Sequence, residues 1–361
     1  LKSKKILFLT RYPRMGASSR LRSFQYQPFL EEEGYSVEVA PFFNEAYLKT
    51  LYAHQRPGIH NVLVCYVRRL GFWLRAFSFD AVLVEKEIFP YLPAWAEWVL
   101  SVIGPGYAVD YDDALFHRYA DSPSGIIRFF LKNKIAKVMR RSQWVTAGSP
   151  YIRDYALTVG AKKVIDFPTV INQERYATQL PKKEQQLPII GWIGSPSTLK
   201  YLQEIVPALE ELSSQLDFEL FVINGPKPIR FSGKQRNVTW SEGEEVALIR
   251  EMDIGIMPLP DDLWERGKCA YKLIQYMACG FPVVASPVGM NRDVVIHGHN
   301  GYLAATHAAW VEALTRLLTD PTLRNQMGKA GKKLVTEKYT LAQNQIVLKG
   351  LIETVGNGEK A

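Results

Sequence analysis

The sequence predicts an α/β protein made of two doubly wound, parallel-sheet domains, and three observations carry this. At 361 residues the chain is too long for one ordinary core and suits two of roughly 170 residues each. Short apolar runs of strand length alternate with longer amphipathic ones, as parallel strands alternate with crossover helices. After a polar stretch without periodicity at 172–188, the strand, loop and helix order starts afresh at Ile189. With 47% hydrophobic residues, both cores can be filled.

In the first domain, taken as 1–170, KILFLT at 5–10 reads as a buried strand. RYPRMGASSRLRSFQYQPFLEEEG follows as loop and helix, and YSVEVA is the next strand. The loop has a single Gly16 and lacks the G-x-G-x-x-G spacing of dinucleotide binders, which argues against a nicotinamide enzyme. Gly16 permits close backbone approach, Ser18 and Ser19 suit a helix start, and Arg20 suits pairing with an anion. The plainer alternative is a helix cap with surface arginines. YAVDY at 107–111 is a strand that runs directly into Asp112, Asp113 and His117. Carboxylates there point into the crevice where doubly wound sheets bind ligands, the alternative being a helix N-cap. His117 alone reads as a surface or packing histidine. WVTA at 144–147 and the run 164–167 close the domain, and 171–188 is read as a hinge.

The second domain opens with IIGWIG at 189–194, then SPSTLKYLQEIVPALEELSSQL as a helix and FELFVIN as a strand ending at Asn224-Gly225-Pro226. MDIGIMP at 252–258 is another buried strand. The stretch 265–301, ERGKCAYKLIQYMACGFPVVASPVGMNRDVVIHGHNG, then organises the domain. Apolar residues at Leu273, Ile274, Met277 and Ala278 make a helical stripe, and Gly280 with Pro282 stops that helix. A short strand at 282–285 and a loop with Pro287, Gly289 and Asn291 follow, and helix amino termini facing such loops offer N–H groups to phosphate. Lys268 and Lys272 lie four apart on one helix face and suit a diphosphate, or else are solvated lysines. Helices at 310–318 and 323–337 are read as surface elements, and a last helix occupies 341–355.

The run YMACGFPVVASPVG resembles the donor-binding signature of the retaining glycosyltransferases of family 4. Their GT-B fold sets two Rossmann-like, doubly wound domains facing a central cleft around a nucleotide sugar. The family's usual form is E-x7-E followed by A-M-A-x-G-x-P-V-V. Here its second Glu, which holds ribose hydroxyls, falls on Gln275, and its first falls on Gly267. A branch written GKC-x-x-K-x-x-QYMA looks closer and turns Lys268, Lys272 and Gln275 towards the donor, with Tyr271 and Leu273 beside them. A Gln amide still hydrogen-bonds ribose, more weakly than a carboxylate.

The resemblance assigns further residues. GASSRLR matches the loop after the first strand, where Gly16, Ala17, Ser18 and Arg20 meet the donor phosphates. The family's Gly-Arg pair, with Lys five residues after the Arg, appears as Gly194, Ser195 and Lys200. Loss of the Arg leaves the phosphates to Ser195, Ser197, Thr198, Lys200 and the helix terminus. Asn224 ends a strand at the crevice. Trp240 lies where the family contacts the nucleobase and either stacks on the base or is a buried strand residue, the commoner outcome. Glu265 is the nearest carboxylate to the family's sugar-contacting Glu. Asp112 or Asp113 would position or deprotonate the acceptor hydroxyl, and Lys200 and Lys272 would stabilise the leaving diphosphate. The domain spans 189–338, and 339–361 would cross back onto the first domain. An Asp pair raises the question of a divalent ion, but no second carboxylate or His cluster accompanies it. Neither metal nor cofactor is expected.

Charge is uneven. Residues 1–165 carry 23 Lys and Arg against 14 Asp and Glu, and the remainder 21 against 22. A basic first half suits anionic headgroups, nucleic acid or an anionic substrate alike. Two basic, aromatic stretches, 62–77 and 126–141, suit a lipid interface or else turn a core face to their sheet. No apolar run reaches the 18 or so residues of a spanning helix. Three cysteines without metal-ligand spacing point to a reducing, cytoplasmic setting.

The expected activity is transfer of a sugar from a nucleotide-diphosphate sugar to a hydroxyl of a glycan or lipid-linked acceptor. It would serve synthesis of cell-surface glycan or lipopolysaccharide-type glycoconjugate, with peripheral membrane contact through the first domain and no nucleic acid partner. The rival readings are a catalytically silent binding or scaffold subunit and a nucleotide-sugar 2-epimerase.

Overall fold

The computed structural model describes residues 3–53, 55–177, 186–225 and 228–355. The chain divides into two compact units. One comprises residues 1–169, 267–269 and 342–361, and the other 170–266 and 270–341.

The first unit holds a six-stranded parallel sheet of β1 (Lys5–Thr10), β2 (Ser36–Pro41), β3 (Ala81–Glu85), β4 (Ala108–Tyr111), β5 (Trp144–Ala147) and β6 (Val164–Asp166). Their order is β2-β1-β3-β4-β5-β6, so the direction of winding reverses between β1 and β3. The apolar runs of β1 and β5 are buried throughout their interiors because helices cover both faces. The strand β3, AVLVE, lies at the reversal point and was not among the expected strands.

The second unit holds β7 (Ile189–Ile193), β8 (Glu219–Ile223), β9 (Gln235–Val238), β10 (Ile254–Met257), β11 (Val283–Ala285) and β12 (Gly301–Leu303). They are again all parallel, in the order β12-β11-β10-β7-β8-β9, with the reversal between β7 and β10. Ile190, Trp192, Leu220, Val222, Ile254 and Ile256 from its central strands fill the core with helix residues such as Leu209, Leu314 and Leu317.

Several elements differ from the sequence reading. The long helix expected after β7 is a 3₁₀ turn, Pro196–Thr198, then Leu199–Glu204 and Val206–Ser213, broken just before Pro207. The helix His307–Thr319 is a surface element with one face in the core, where Trp310 and Leu314 pack, and Glu312 and Arg316 exposed on the other. Of the expected hinge, 173–177 form a helix whose Tyr176 is buried in the second unit, and 178–185 lie outside the described residues. Pro226 does also.

Candidate functional site

Ligands of doubly wound sheets sit at the carboxyl ends of the strands where the winding reverses, and both units concentrate polar side chains there. In the first unit these follow β1, β3 and β4. Glu85, the last residue of β3, accepts from the Ser19 hydroxyl at 2.6 Å, the Ser18 hydroxyl at 3.0 Å and the Arg11 N–H at 2.9 Å. The loop with Gly16 is thereby tied to β3. A Cβ on Gly16 would come within 2.5 Å of that of Tyr12, which explains the glycine.

Glu87 is fully enclosed and shared by three groups: Lys134 at 2.5 Å, Arg11 at 3.1 Å and the Tyr119 hydroxyl at 2.7 Å. Burial alone would raise its pKa, but Lys134 and Arg11 outweigh burial and hold it below the usual carboxylate range. Between these glutamates Lys86 adopts φ +68°, in the left-handed region that non-glycine residues rarely occupy. Its Nζ meets Asp112 at 2.8 Å and Asp113 at 3.5 Å.

The structure separates the two aspartates. Asp112 is buried. Desolvation opposes its charge, yet Lys86 and then Arg22 bring its pKa down to about 2. So held, Asp112 is ionised across the neutral range and is a weak base. Asp113 is more open and takes a second, longer contact from Lys268 at 3.8 Å. Lys268 comes from the three-residue segment 267–269, which groups with the first unit although its sequence neighbours belong to the second. Thus Lys268 does not share a helix face with Lys272: the helix begins only at Tyr271, after Ala270 at φ +52°. A Cβ on Gly267 would come within 2.8 Å of the Ala114 backbone, so that segment needs glycine to lie where it does. His117 contacts Asp121 at 2.6 Å and the Tyr151 hydroxyl at 2.8 Å, consistent with a packing role.

In the second unit the loops after β7 and β10 carry the matching groups. Gly194 follows β7, and the Lys272 ammonium approaches it so closely that a Cβ on Gly194 would lie 2.7 Å away. The same ammonium stands 4.3 Å from the ring centroid of the buried Trp192. Ser195 and Thr198 fold the loop back, with the Thr198 N–H and hydroxyl both 2.9 Å from the Ser195 carbonyl and the Ser195 and Ser197 hydroxyls 2.9 Å apart. Lys200 is exposed and lies 4.9 Å from the Tyr201 ring, whose hydroxyl donates to the buried Glu265. Asn224 follows β8 at φ +65°.

Three residues differ from expectation. Trp240 is a half-buried loop residue beyond β9, not a strand residue, and its indole N–H donates to Glu245 at 2.8 Å. Gln275 is buried and donates to the Tyr176 hydroxyl at 3.1 Å, so its amide N–H is engaged inside the unit. Leu273 is wholly buried and packs in the core. Tyr271 is half-buried at the helix start. A separate cavity of about 400 Å³ opens at the ends of β10, β11 and β12, among Pro258, Ser286, Arg292 and Trp310. Among the described residues no three His, Cys, Asp or Glu side chains group as a metal site.

Sequence reasoning missed Arg11, Glu85, Lys86, Glu87 and Lys134. The signal was available in VLVEKE, an apolar strand ending abruptly in three charges.

Comparison with known proteins agrees with this arrangement. Residues 187–320 match the family model described as Glycosyl transferases group 1. N-acetyl-alpha-D-glucosaminyl L-malate synthase of Bacillus anthracis is 25% identical over 187 residues, which is 46% of this chain and 46% of that protein. The match therefore spans less than half the length of that relative. Among solved structures, Anabaena Alr3699/HepE in complex with UDP-glucose superposes with a TM-score of 0.69 at 14% identity, over 97% of this chain and 99% of that one. WaaG, a glycosyltransferase involved in lipopolysaccharide biosynthesis, gives 0.66 at 13% identity, over 98% and 100%. The fold is GT-B.

Proposed function

We propose that this chain, whose residues 187–320 match the model of the Glycosyl transferases group 1, transfers a sugar from a nucleotide-diphosphate sugar to a hydroxyl acceptor with retention at the anomeric carbon. The carrying observation is the junction of Gly194, Trp192 and Lys272 at the winding reversal of the second sheet. A side-chain-free backbone turn, a cation and a run of small hydroxyl residues, Ser195 to Thr198, make an anion site suited to a pyrophosphate. Lys200 adds a second cation on the helix that follows. The nucleotide-sugar reading is supported by HepE, whose structure holds UDP-glucose.

In the reaction the anomeric C–O bond to the diphosphate breaks while the acceptor oxygen bonds to the same face. The hydroxyl proton leaves with the diphosphate. Lys272 and Lys200 stabilise the charge that develops on the leaving group. Asp113, the less buried aspartate of the first unit, orients the acceptor hydroxyl, and Asp112 with Lys86 fixes its position. Neither metal nor cofactor enters this scheme. The acceptor is a glycan or lipid-linked glycan of the cell-surface or lipopolysaccharide type, a reading supported by the likeness to WaaG. The three cysteines are free thiols, which supports a cytoplasmic setting.

The test is a panel of nucleotide sugars offered to the full chain, with binding followed by calorimetry and turnover by release of the nucleoside diphosphate. Binding and slow release from one donor support the reading. A panel that neither binds nor turns over refutes it, and binding with no turnover on any acceptor leaves the silent scaffold. Epimerised free sugar without an acceptor would favour the epimerase.

A further inference from the structure

The loop after β3 holds a second backbone irregularity besides Lys86. Tyr91 adopts φ +57°, again in the left-handed region, and its side chain is 47% exposed. A bulky residue keeps such a backbone only where its surroundings enforce it. Four side chains do so here. The Glu97 carboxylate accepts from the Ile88 N–H at 2.8 Å, and the Lys134 ammonium donates to the Phe89 carbonyl at 2.5 Å. The Tyr66 hydroxyl donates to the Pro90 carbonyl, and the Tyr119 hydroxyl accepts from the Tyr91 N–H at 3.0 Å. Tyr119 donates in turn to Glu87 at 2.7 Å, so the buried charges of Glu87, Arg11 and Lys134 fix the loop that presents Tyr91.

Other tyrosines gather at the same end of the sheet. Tyr12 follows β1, Tyr47 lies on the helix Glu45–Tyr52 after β2, and Tyr66 lies on the helix Ile59–Arg75; all three are half-buried. Tyr12 and Tyr47 stack on Phe43, with ring centroids 5.6 and 3.8 Å from it. Phe42 sets its edge against Phe43 at 4.7 Å and against Tyr66 at 4.9 Å. Burial raises the pKa of Tyr47, and its neighbours Tyr12 and Tyr91 add to this. Burial likewise lifts Tyr66 to about 12, with Glu87, Tyr91 and Tyr47 adding. Tyr47 and Tyr66 therefore keep their hydroxyl protons in neutral solution, and both stand close to Tyr91. Rings already fixed by other rings lose little freedom when a ligand settles on them.

Chemistry selects that ligand. A hydrocarbon chain would strip water from the phenol hydroxyls without replacing it. An anion would face the negative side of the rings, and a cation would meet the Arg11 guanidinium, 5.7 Å from the Tyr12 ring and 5.8 Å from that of Phe43. A pyranose suits all three conditions: it is neutral, one face offers C–H groups to the electron-rich ring face, and its rim of hydroxyls both gives and takes hydrogen bonds.

We propose that Tyr91, with Tyr47 and Tyr66, forms a stacking platform for a pyranose ring of the acceptor. It lies at the winding reversal of the first sheet, where Lys86 of the same loop holds Asp113. The platform thus reads the saccharide of the acceptor and not its carrier. Naming the bound sugar the acceptor rests on the transfer reaction proposed above, whereas its binding requires no donor.

The test applies the full chain to a printed array of oligosaccharides, alone and with UDP, GDP or ADP, and measures binding of each diphosphate separately by calorimetry. Tyr91→Gly removes the ring, and glycine adopts φ +57° without strain, so the unfolding temperature should not fall. Tyr47→Ala removes a second ring from a different element, and Tyr91→Phe keeps the ring. Retention on glycans of one class is expected, weakened about tenfold or more in Tyr91→Gly and Tyr47→Ala and by less than about threefold in Tyr91→Phe, with diphosphate binding unchanged. The proposal is overturned if no glycan is retained, if Tyr91→Gly and Tyr47→Ala leave retention intact, or if Tyr91→Gly abolishes diphosphate binding, which would assign the ring to the donor. Tyr91-dependent glycan retention by a chain that binds no diphosphate upholds the platform and removes the transfer reaction. Diphosphate binding without glycan retention removes the platform alone.

Discussion

Lys86 reaches Asp112 at 2.8 Å from a backbone in the left-handed region, so an unfavourable conformation is held in place by a buried ion pair. The strained φ costs about 1–3 kcal/mol, which the ion pair and its neighbours must offset. Lys86→Met would leave Asp112 as an uncompensated buried charge. We expect a loss of about 3–5 kcal/mol in urea unfolding. A loss below about 1 kcal/mol would mean the pair is better solvated than the geometry indicates.

The same pair sets an acid response. Asp112 has its folded pKa lowered from 3.8 to about 2, so its contribution to stability is complete above about pH 4 and disappears as pH falls through about 2. The shift corresponds to about 2 kcal/mol. Unfolding free energies of the wild type and Asp112→Asn between pH 5 and 2 should converge as the pH drops. Parallel curves would contradict the assignment.

Glu87 is the common partner of Arg11, Lys134 and Tyr119. Glu87→Gln leaves two enclosed cations facing a neutral amide and should destabilise the first unit by about 3–5 kcal/mol. Calorimetric unfolding would show this as a lowered transition. An unchanged transition would show that water or another carboxylate takes over the cations.

Lys272→Ala removes the ammonium beside Gly194. Because the side chain is half-buried and its neighbour Trp192 is held by the core, folding should persist while turnover falls about a hundredfold or more. Full activity in a folded Lys272→Ala protein would remove Lys272 from the leaving-group site.

Gly194→Ala tests the same junction from the backbone side. The new methyl would stand 2.4 Å from the Trp192 ring and 2.7 Å from the Lys272 Nζ. The lysine end can swing away, but the indole is enclosed. We expect about 1–3 kcal/mol of destabilisation and weaker donor binding together. Unchanged donor affinity would show that the close approach serves packing alone.

Much of this was legible because parallel strands announce themselves as apolar runs: β1, β5, β7 and β10 fall where KILFLT, WVTA, IIGWIG and MDIGIMP lie. Gly194 was legible because few other residues suit a close turn after a strand. The side-chain partners were less so. Lys268 and Lys272 look like one helical pair four residues apart, yet Ala270 in the left-handed region starts the helix after Lys268 and parts them. Gln275 is read as a ribose ligand because it falls where the resembled family has its second Glu, and its partner Tyr176, 99 residues away, leaves no local signal in the sequence. Lys86 and its flanking glutamates gave no periodic signal at all, and their roles come from β3 lying next to β1 and β4.

Residues 342–355 group with the first unit, where the Asn344 amide donates to the Tyr26 hydroxyl at 3.1 Å and to the Pro168 carbonyl at 2.9 Å. A ribosome making this protein thus releases the second unit's whole sequence before the helix Leu341–Val355 that groups with the first unit. The amino-terminal unit must wait, partly assembled, until residues 342–355 emerge, and a stop codon placed just ahead of them would injure the unit made first rather than the one just finished.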